Sequence, residues 1–245
     1  MRISKDLIPR SARHRLRRIL RPAFLGTARR TTPLSRHWGF DRGTPVDRYY
    51  IERFLQLHAA DIRGHVLEVK DSGYMDRFGT AVTQRDVLDI DSSNQHATIV
   101  ADLTAADHVD ADQFDCFILT QTLQMIYDTR AAIRHAYRML RPGGTLLATV
   151  PAVSRLTKPD FWRFTPAACS RVFGEVFGSI NVSVEGHGNV LTSVAFLEGM
   201  ACQELNRHEL DTDDPMFPLI VTVRAVKPSG GVRDAAPAGD QESTA

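Results

Sequence analysis

Residues 66–73, Val66-Leu67-Glu68-Val69-Lys70-Asp71-Ser72-Gly73, read as a buried strand that ends on an acid and runs into a turn. Working outward, residues 86–90, 98–101, 114–119 and 145–150 read as four more buried strands, and two further ones fall near 181–184 and 219–225. Helical patterns separate them. Thr44-Pro45-Val46-Asp47 offers a capping threonine, a proline at the first helical position and an acid, and Ile51, Phe54, Leu55, His58 and Ile62 then mark one apolar face. Ile133, Ala136, Tyr137 and Leu140 mark a second helix closed by Arg141-Pro142-Gly143-Gly144. A third opens at Thr165-Pro166 with Cys169, Val172, Phe173, Val176 and Phe177, and a mostly apolar fourth is expected from about 191 to 205. Strands alternating with helices predict an α/β fold, a parallel sheet with helices on both faces.

Composition agrees with a globular chain: of 245 residues, 43% are hydrophobic and 24% charged, which excludes a disordered, collagen-like or coiled-coil protein. Cys116, Cys169 and Cys202 are odd in number and lie far apart without a CxxC spacing. That argues against a disulfide framework or a zinc site, so no metal is expected, and a reducing cytoplasm fits best. No apolar run reaches membrane-spanning length, and no signal peptide is visible.

The net charge of +1 conceals a cancellation. Residues 1–36 hold eleven Lys/Arg and one acid, Asp6, a formal +10 that leaves −9 on residues 37–245. Within this basic arm Ala12, Leu16, Ile19 and Leu20 recur at helical spacing among Arg13, Arg17, Arg18 and Arg21, up to Pro22. Such a stretch suits solvent, an anionic membrane surface such as the inner membrane face, or a protein partner; nucleic acid is the least expected. Residues 227–245, rich in Pro, Gly, Ala and Ser, read as a disordered tail. The expected organisation is an arm over 1–36, one domain over 37–226 and that tail.

In an open α/β sheet, ligands bind beyond the carboxyl ends of the strands. Those ends carry Glu68 to Gly73, then Asp89 and Asp91, then Asp102 and Leu103, then Thr120 and Gln121. An acid about 20 residues beyond the first turn is what a ribose with paired hydroxyls requires, and an acid after the third strand can accept from an adenine amino group. The same acids also serve as helix caps in many folds. His187, between Gly186 and Gly188, is a candidate base for a hydroxyl acceptor or a plain turn residue. Trp162 and Phe164 are candidates to stack on a flat acceptor or to close the core, and Asp47 and Tyr49 are placed to face the cleft from the preceding helix. A nicotinamide oxidoreductase lacks support: no GxGxxG follows the first strand, and there is no Tyr-x-x-x-Lys.

Taken in order, Val66-Leu67-Glu68-Val69, Val87-Leu88-Asp89-Ile90-Asp91, Val100-Ala101-Asp102-Leu103, Gln113-Phe114-Asp115-Cys116, Met139-Leu140-Arg141-Pro142-Gly143-Gly144 and Trp162-Arg163-Phe164-Thr165-Pro166 resemble the class I S-adenosylmethionine-dependent methyltransferases. The likeness covers roughly residues 64–226. It is nearest to bacterial methyltransferase-domain proteins associated with glycosyltransferases and polysaccharide biosynthesis. The resemblance implies a Rossmann-like, mostly parallel seven-stranded sheet and S-adenosylmethionine as cofactor. It implies Glu68, Val69 and Gly73 at the methionine end, Asp91 (with Asp89 as second choice) at the ribose, Asp102 and Leu103 at adenine, and Thr120 and Gln121 beneath the sulfonium. The family turn carries glycines where this chain has Lys70, Ser72 and Tyr74, a departure from the pattern. The function implied is methylation of an oxygen on a sugar or other small molecule, with Trp162 and Tyr49 at the acceptor; the alternative is a catalytically inactive partner or scaffold in glycan biosynthesis.

Overall fold

The computed structural model describes residue 19, residue 26 and residues 29–230. The chain divides into Met1–Pro33 and Leu34–Ala245, and the fold below is that of the second unit. The amphipathic run expected around residues 12–20 and the tail beyond residue 230 lie outside the described residues, apart from Ile19. No described helix is long and apolar enough to cross a membrane.

The elements are α1 (Val46–Leu57), β1 (Arg63–Val69), α2 (Gly73–Phe78), β2 (Ala81–Asp89), β3 (Ile99–Val100), β4 (Phe114–Thr120), α3 (Thr129–Met139), β5 (Leu140–Pro151), α4 (Pro166–Phe177), β6 (Val182–His187), α5 (Val190–Glu198), α6 (Arg207–Asp211) and β7 (Ile220–Val226). They form one seven-stranded sheet in the order β3-β2-β1-β4-β5-β7-β6. Strands β1 to β5 are parallel, and β7 runs antiparallel to both β5 and β6. The expected α/β, mostly parallel seven-stranded sheet is therefore what the chain forms.

Side chains alternate across each strand, and the alternation divides the core in two. Leu67, Phe117, Leu119, Leu146 and Ala148 face α3 and α4, where Ile133, Ala136, Phe173 and Phe177 pack. Val66, Cys116, Ile118 and Leu147 face the other way, against Ile51 and Leu55 of α1, Met75 and Phe78 of α2 and Phe196 of α5. Both faces are covered, which is why these strands read as unbroken apolar runs.

Three local expectations are corrected. Thr44 does not cap α1: its Oγ1 accepts from Gln203 Nε2 and its N–H donates to Gln203 Oε1, both at 3.1 Å. Asp47 is instead a buried carboxylate whose Oδ1 has no hydrogen-bond partner among the described residues, and burial raises its pKa. The Arg141–Gly144 run does not close a helix, because β5 begins at Leu140 directly after α3. The long helix expected over 191–205 stops at Glu198, followed by Gly199 in the left-handed conformation at φ +71°.

That stop also anchors the incoming chain, since Glu198 carbonyl accepts from the N–H of Leu34 (2.7 Å) and Ser35 (3.1 Å). A Cβ on Gly199 would lie 2.4 Å from the Ser35 carbonyl oxygen. Gly199→Ala is expected to destabilise the domain by about 2 kcal/mol, from the left-handed backbone and the displaced Ser35 together. Denaturant unfolding measures this, and a variant as stable as the parent would refute it.

Candidate functional site

The carboxyl ends of β1, β2, β3 and β4 open onto a cleft of about 860 Å³. A parallel sheet places these ends along one edge, so the residues just past each strand converge although they lie far apart in sequence. Glu68, Val69, Asp71, Gly73, Asp89, Ile90, Asp91, Ala101, Asp102, Leu103, Thr120 and Gln121 all line it.

The turn after β1 is built around Glu68. Its side chain is 1% exposed and accepts hydrogen bonds from the N–H groups of Tyr74 (3.1 Å) and Met75 (2.7 Å) at the start of α2. Burial raises its pKa to about 7, against the opposing pull of those two N–H groups. Asp71 Oδ1 accepts from Gly73 N–H at 2.9 Å, and Gly73 keeps an ordinary negative φ. Lys70, at the start of this turn, is left-handed with φ +74°.

The next two strand ends form linked carboxylate turns. Asp89 Oδ1 accepts from Asp91 N–H (3.1 Å), and its Oδ2 accepts from Asn94 Nδ2 (2.7 Å). The same Asn94 amide donates to the Lys70 carbonyl at 2.7 Å, tying the β2 turn to the β1 turn. Asp91 Oδ1 accepts from the N–H (2.8 Å) and hydroxyl (2.7 Å) of Ser93, which hold its carboxyl below the usual range and leave Oδ2 uncommitted. Asp102 repeats the motif, its Oδ1 accepting from Thr104 N–H and Oγ1 at 2.8 Å. Between the acids, exposed Ile90 and buried Leu103 supply apolar surface.

On the floor, Gln121 is also left-handed at φ +48°, with its N–H bonded to Thr149 carbonyl at 2.8 Å. Beside it, Met125, Ile126 and Pro159 line one end of the cleft. Trp162 adjoins this end without lining it: its indole N–H donates to the carbonyls of Ile126 (3.0 Å) and Tyr127 (3.2 Å), and its ring stacks on Tyr127 at 5.8 Å. Phe161 meets the same tyrosine edge-on at 5.5 Å, so three exposed aromatic rings cluster there.

Four other sequence candidates, the buried Asp47 together with Tyr49, His187 and Phe164, lie away from the cleft lining. Tyr49 hydroxyl donates to Asp211 of α6. His187 ends β6, two strands beyond Pro151 of β5 through Ile220 of β7. Its Nδ1 is 3.2 Å from Asp213 Oδ2 and its Nε2 is 3.1 Å from Thr222 Oγ1, with Tyr50 stacked on the ring. Phe164 is buried in the core.

Sequence reading missed Phe40, Arg48 and Arg77, which wall the cleft, and Asn94, which braces it. Arg48 and Arg77 belong to α1 and α2, and no local pattern marks which of a helix's polar residues will border a cleft. The Asn-to-Asp bond across the turn from 89 to 94 is of a local kind that Asx-rich turns make common.

Residues 52–148 match the family model described as Methyltransferase domain. That span runs from α1 through most of β5 and includes the cleft acids. Comparison with the curated proteins finds no match. Among solved structures, the chain is similar to an S-adenosylmethionine-dependent methyltransferase from Archaeoglobus fulgidus, at 13% identity and a TM-score of 0.50, over 74% of this chain and 94% of that one. The YcgJ protein of Bacillus subtilis is similar at 10% identity and a TM-score of 0.46, over 73% and 99%. Phosphoethanolamine N-methyltransferase 2 of Haemonchus contortus, solved with S-adenosyl-L-methionine, is similar at 17% identity and a TM-score of 0.48, over 68% and 49%. The likeness to the Archaeoglobus protein is one of fold: the chain has the Rossmann-like sheet of the class I methyltransferases.

Proposed function

We propose that this chain is a methyltransferase that takes its methyl group from S-adenosylmethionine and passes it to an oxygen of a sugar or other small molecule. The observation that carries the reading is the cleft at the ends of four parallel strands, with carboxylates of Asp89, Asp91 and Asp102 along it. The residues present fit such a cofactor. Neither Lys70 nor Tyr74 fills the space, and five acids against three cations line it, which suits a ligand of net positive charge. Asp91, with Asp89 behind it, supplies acceptors for ribose hydroxyls; Asp102, Leu103 and Ile90 supply an acceptor and apolar faces for adenine. Glu68, Val69, Gly73, Thr120 and Gln121 border the amino-acid end.

When bound, S-adenosylmethionine supplies a methyl group on a cationic sulfur, open to in-line displacement. The chain's own contribution is to orient donor and acceptor, and the proton of the acceptor hydroxyl would pass to solvent at the cleft mouth as the oxygen takes the methyl group. Trp162, Tyr127 and Phe161 offer ring faces beside the cleft for a sugar or another flat acceptor. An association with glycan biosynthesis belongs to this reading and rests on the sequence resemblance alone.

A second reading, a methyltransferase-like partner without turnover, is favoured by one observation: most backbone donors of the β1 turn are already bonded within the fold. Isothermal titration of the full chain with S-adenosylmethionine and S-adenosylhomocysteine separates the two. One site per chain with micromolar or tighter affinity is expected, and absence of heat with both ligands would leave the partner reading in its place.

A further inference from the structure

The turn after β1 is poor in ways to receive an anion. The N–H groups of Lys70, Asp71, Gly73, Tyr74, Met75 and Asp76 are bonded to Leu88, Val69, Asp71, Glu68, Glu68 and Ser72 respectively. Helix α2, which follows, has only six residues, and its first free donors are consumed by the Glu68 carboxylate. Asp71 and Asp76 add negative charge close by. A ligand carboxylate brought to this end therefore meets no backbone cradle and several like charges.

Three cations line the cleft. Arg48 is 3.6 Å from Asp47, and Arg77 donates to Glu52 at 2.6 Å. Lys70 is exposed and forms no ion pair among the described residues. Its backbone is the one a β-carbon tolerates badly, φ +74°, and it is held there at both ends: its N–H donates to Leu88 carbonyl at 2.9 Å and its own carbonyl accepts from Asn94 at 2.7 Å. Glycine would take this conformation freely. A lysine kept in a strained turn, beside the ligand cleft and without a protein partner, is a residue whose side chain has a use there.

We infer that the Lys70 ammonium receives the carboxylate of the amino-acid end of the cofactor, replacing the backbone donors that Glu68 and Asp71 have taken. The inference rests on the cofactor reading above. Lys70 then selects ligands by their carboxylate, and it places an amino acid's charge in a turn that otherwise repels it. Its stem also keeps the ammonium on a flexible reach, which lets the positive charge meet the carboxylate and stay clear of the cationic sulfur.

The test is calorimetry of the full chain with two ligands: S-adenosylhomocysteine, and 5′-methylthioadenosine, which keeps the nucleoside and sulfur but lacks the carboxylate. The unaltered chain is expected to bind the first at least tenfold more tightly. Lys70→Met is expected to lose about tenfold in affinity for S-adenosylhomocysteine with no change for 5′-methylthioadenosine, and Lys70→Arg to restore most of the loss. Lys70→Gly is expected to lose the same affinity while its melting temperature rises, because charge and strain leave together. A merely structural lysine would lose stability and the affinity for both ligands at once, and that pattern would overturn the inference. Equal affinity for S-adenosylhomocysteine with and without the lysine charge would overturn it too, while leaving the cofactor reading intact. If the unaltered chain binds neither ligand, the cofactor reading fails and this inference falls with it.

Discussion

Asp91→Ala should weaken S-adenosylhomocysteine binding about 10–100-fold and leave the melting temperature unchanged. A hydrogen bond from a ligand hydroxyl to an ionised carboxylate is worth about 1.5–3 kcal/mol, which is that range of affinity. The Asp91 side chain is exposed and bonds only to Ser93 within its own turn, so its removal leaves the backbone bonds to Asp89 and Asn94 in place. Ser93 also holds the carboxyl below its usual range through those hydrogen bonds. Asp89→Ala should cost at least as much affinity and, in addition, about 1 kcal/mol of stability, because Asn94 loses its anchor between the two turns. Calorimetry and thermal melting on both variants give the assignment. A loss confined to Asp89→Ala moves the ribose contact to that residue, and full affinity in both removes the ribose site from this edge of the sheet.

Stability should fall as the pH rises from about 4.5 towards 7 and then level off, and Glu68→Gln should flatten that profile. The carboxyl of Glu68 is raised from the ordinary 4.5 to about 7, chiefly by burial and against the two N–H groups it accepts from. Between those values the folded protein holds a proton that the unfolded chain has released, so raising the pH favours unfolding. With the pKa in the folded state above that in the unfolded state, the contribution is complete at low pH and gone above about 7. The 2.5-unit difference corresponds to at most about 3 kcal/mol. Chemical denaturation of both proteins from about pH 4 to about pH 8 brackets that window and measures it. The glutamine amide of the variant costs some stability at every pH, since its NH₂ faces a backbone N–H, but it removes the part of the slope that belongs to Glu68, leaving that of the buried Asp47. Parallel profiles in the two proteins would refute the assignment to Glu68.

The central strands of this protein are legible because their buried stretches are largely apolar and bounded by polar turns, and the strand ends name most of the cleft. Glu68, Asp89, Asp91, Asp102, Leu103, Thr120 and Gln121 all reach one space because a parallel sheet brings its carboxyl ends to one edge. Tyr49 and His187 look like cleft residues from their nearness to the core in sequence, yet Tyr49 turns to Asp211 and His187 to Asp213 and Thr222. Asp211 and Asp213 come from the segment between β6 and β7, and Thr222 from β7 itself, which nothing in the local sequence around residues 49 and 187 announces. The sequence marks Lys70 as a residue where glycine is usual; only the backbone angle and the spent N–H groups around it make it a candidate ligand contact.

The sequence alone determined the α/β class, the number of strands and which residues stand at their carboxyl ends, because hydrophobic period, capping and turn chemistry are local properties of the chain. The tertiary structure decided the direction and place of β7. After β6 the chain stays at the carboxyl edge through α5 and α6, Leu219 bonds to His187, and Ala152 and Val153 bond back to Leu219. β7 therefore enters from that edge and slots antiparallel between β5 and β6. An apolar strand reads the same in either direction, so this choice depends on where the preceding helices leave the chain. The composition of the cleft follows the same logic: Phe40, Arg48, Arg77 and Pro159 join it through packing across the sheet edge, a relation between distant residues that no local pattern carries.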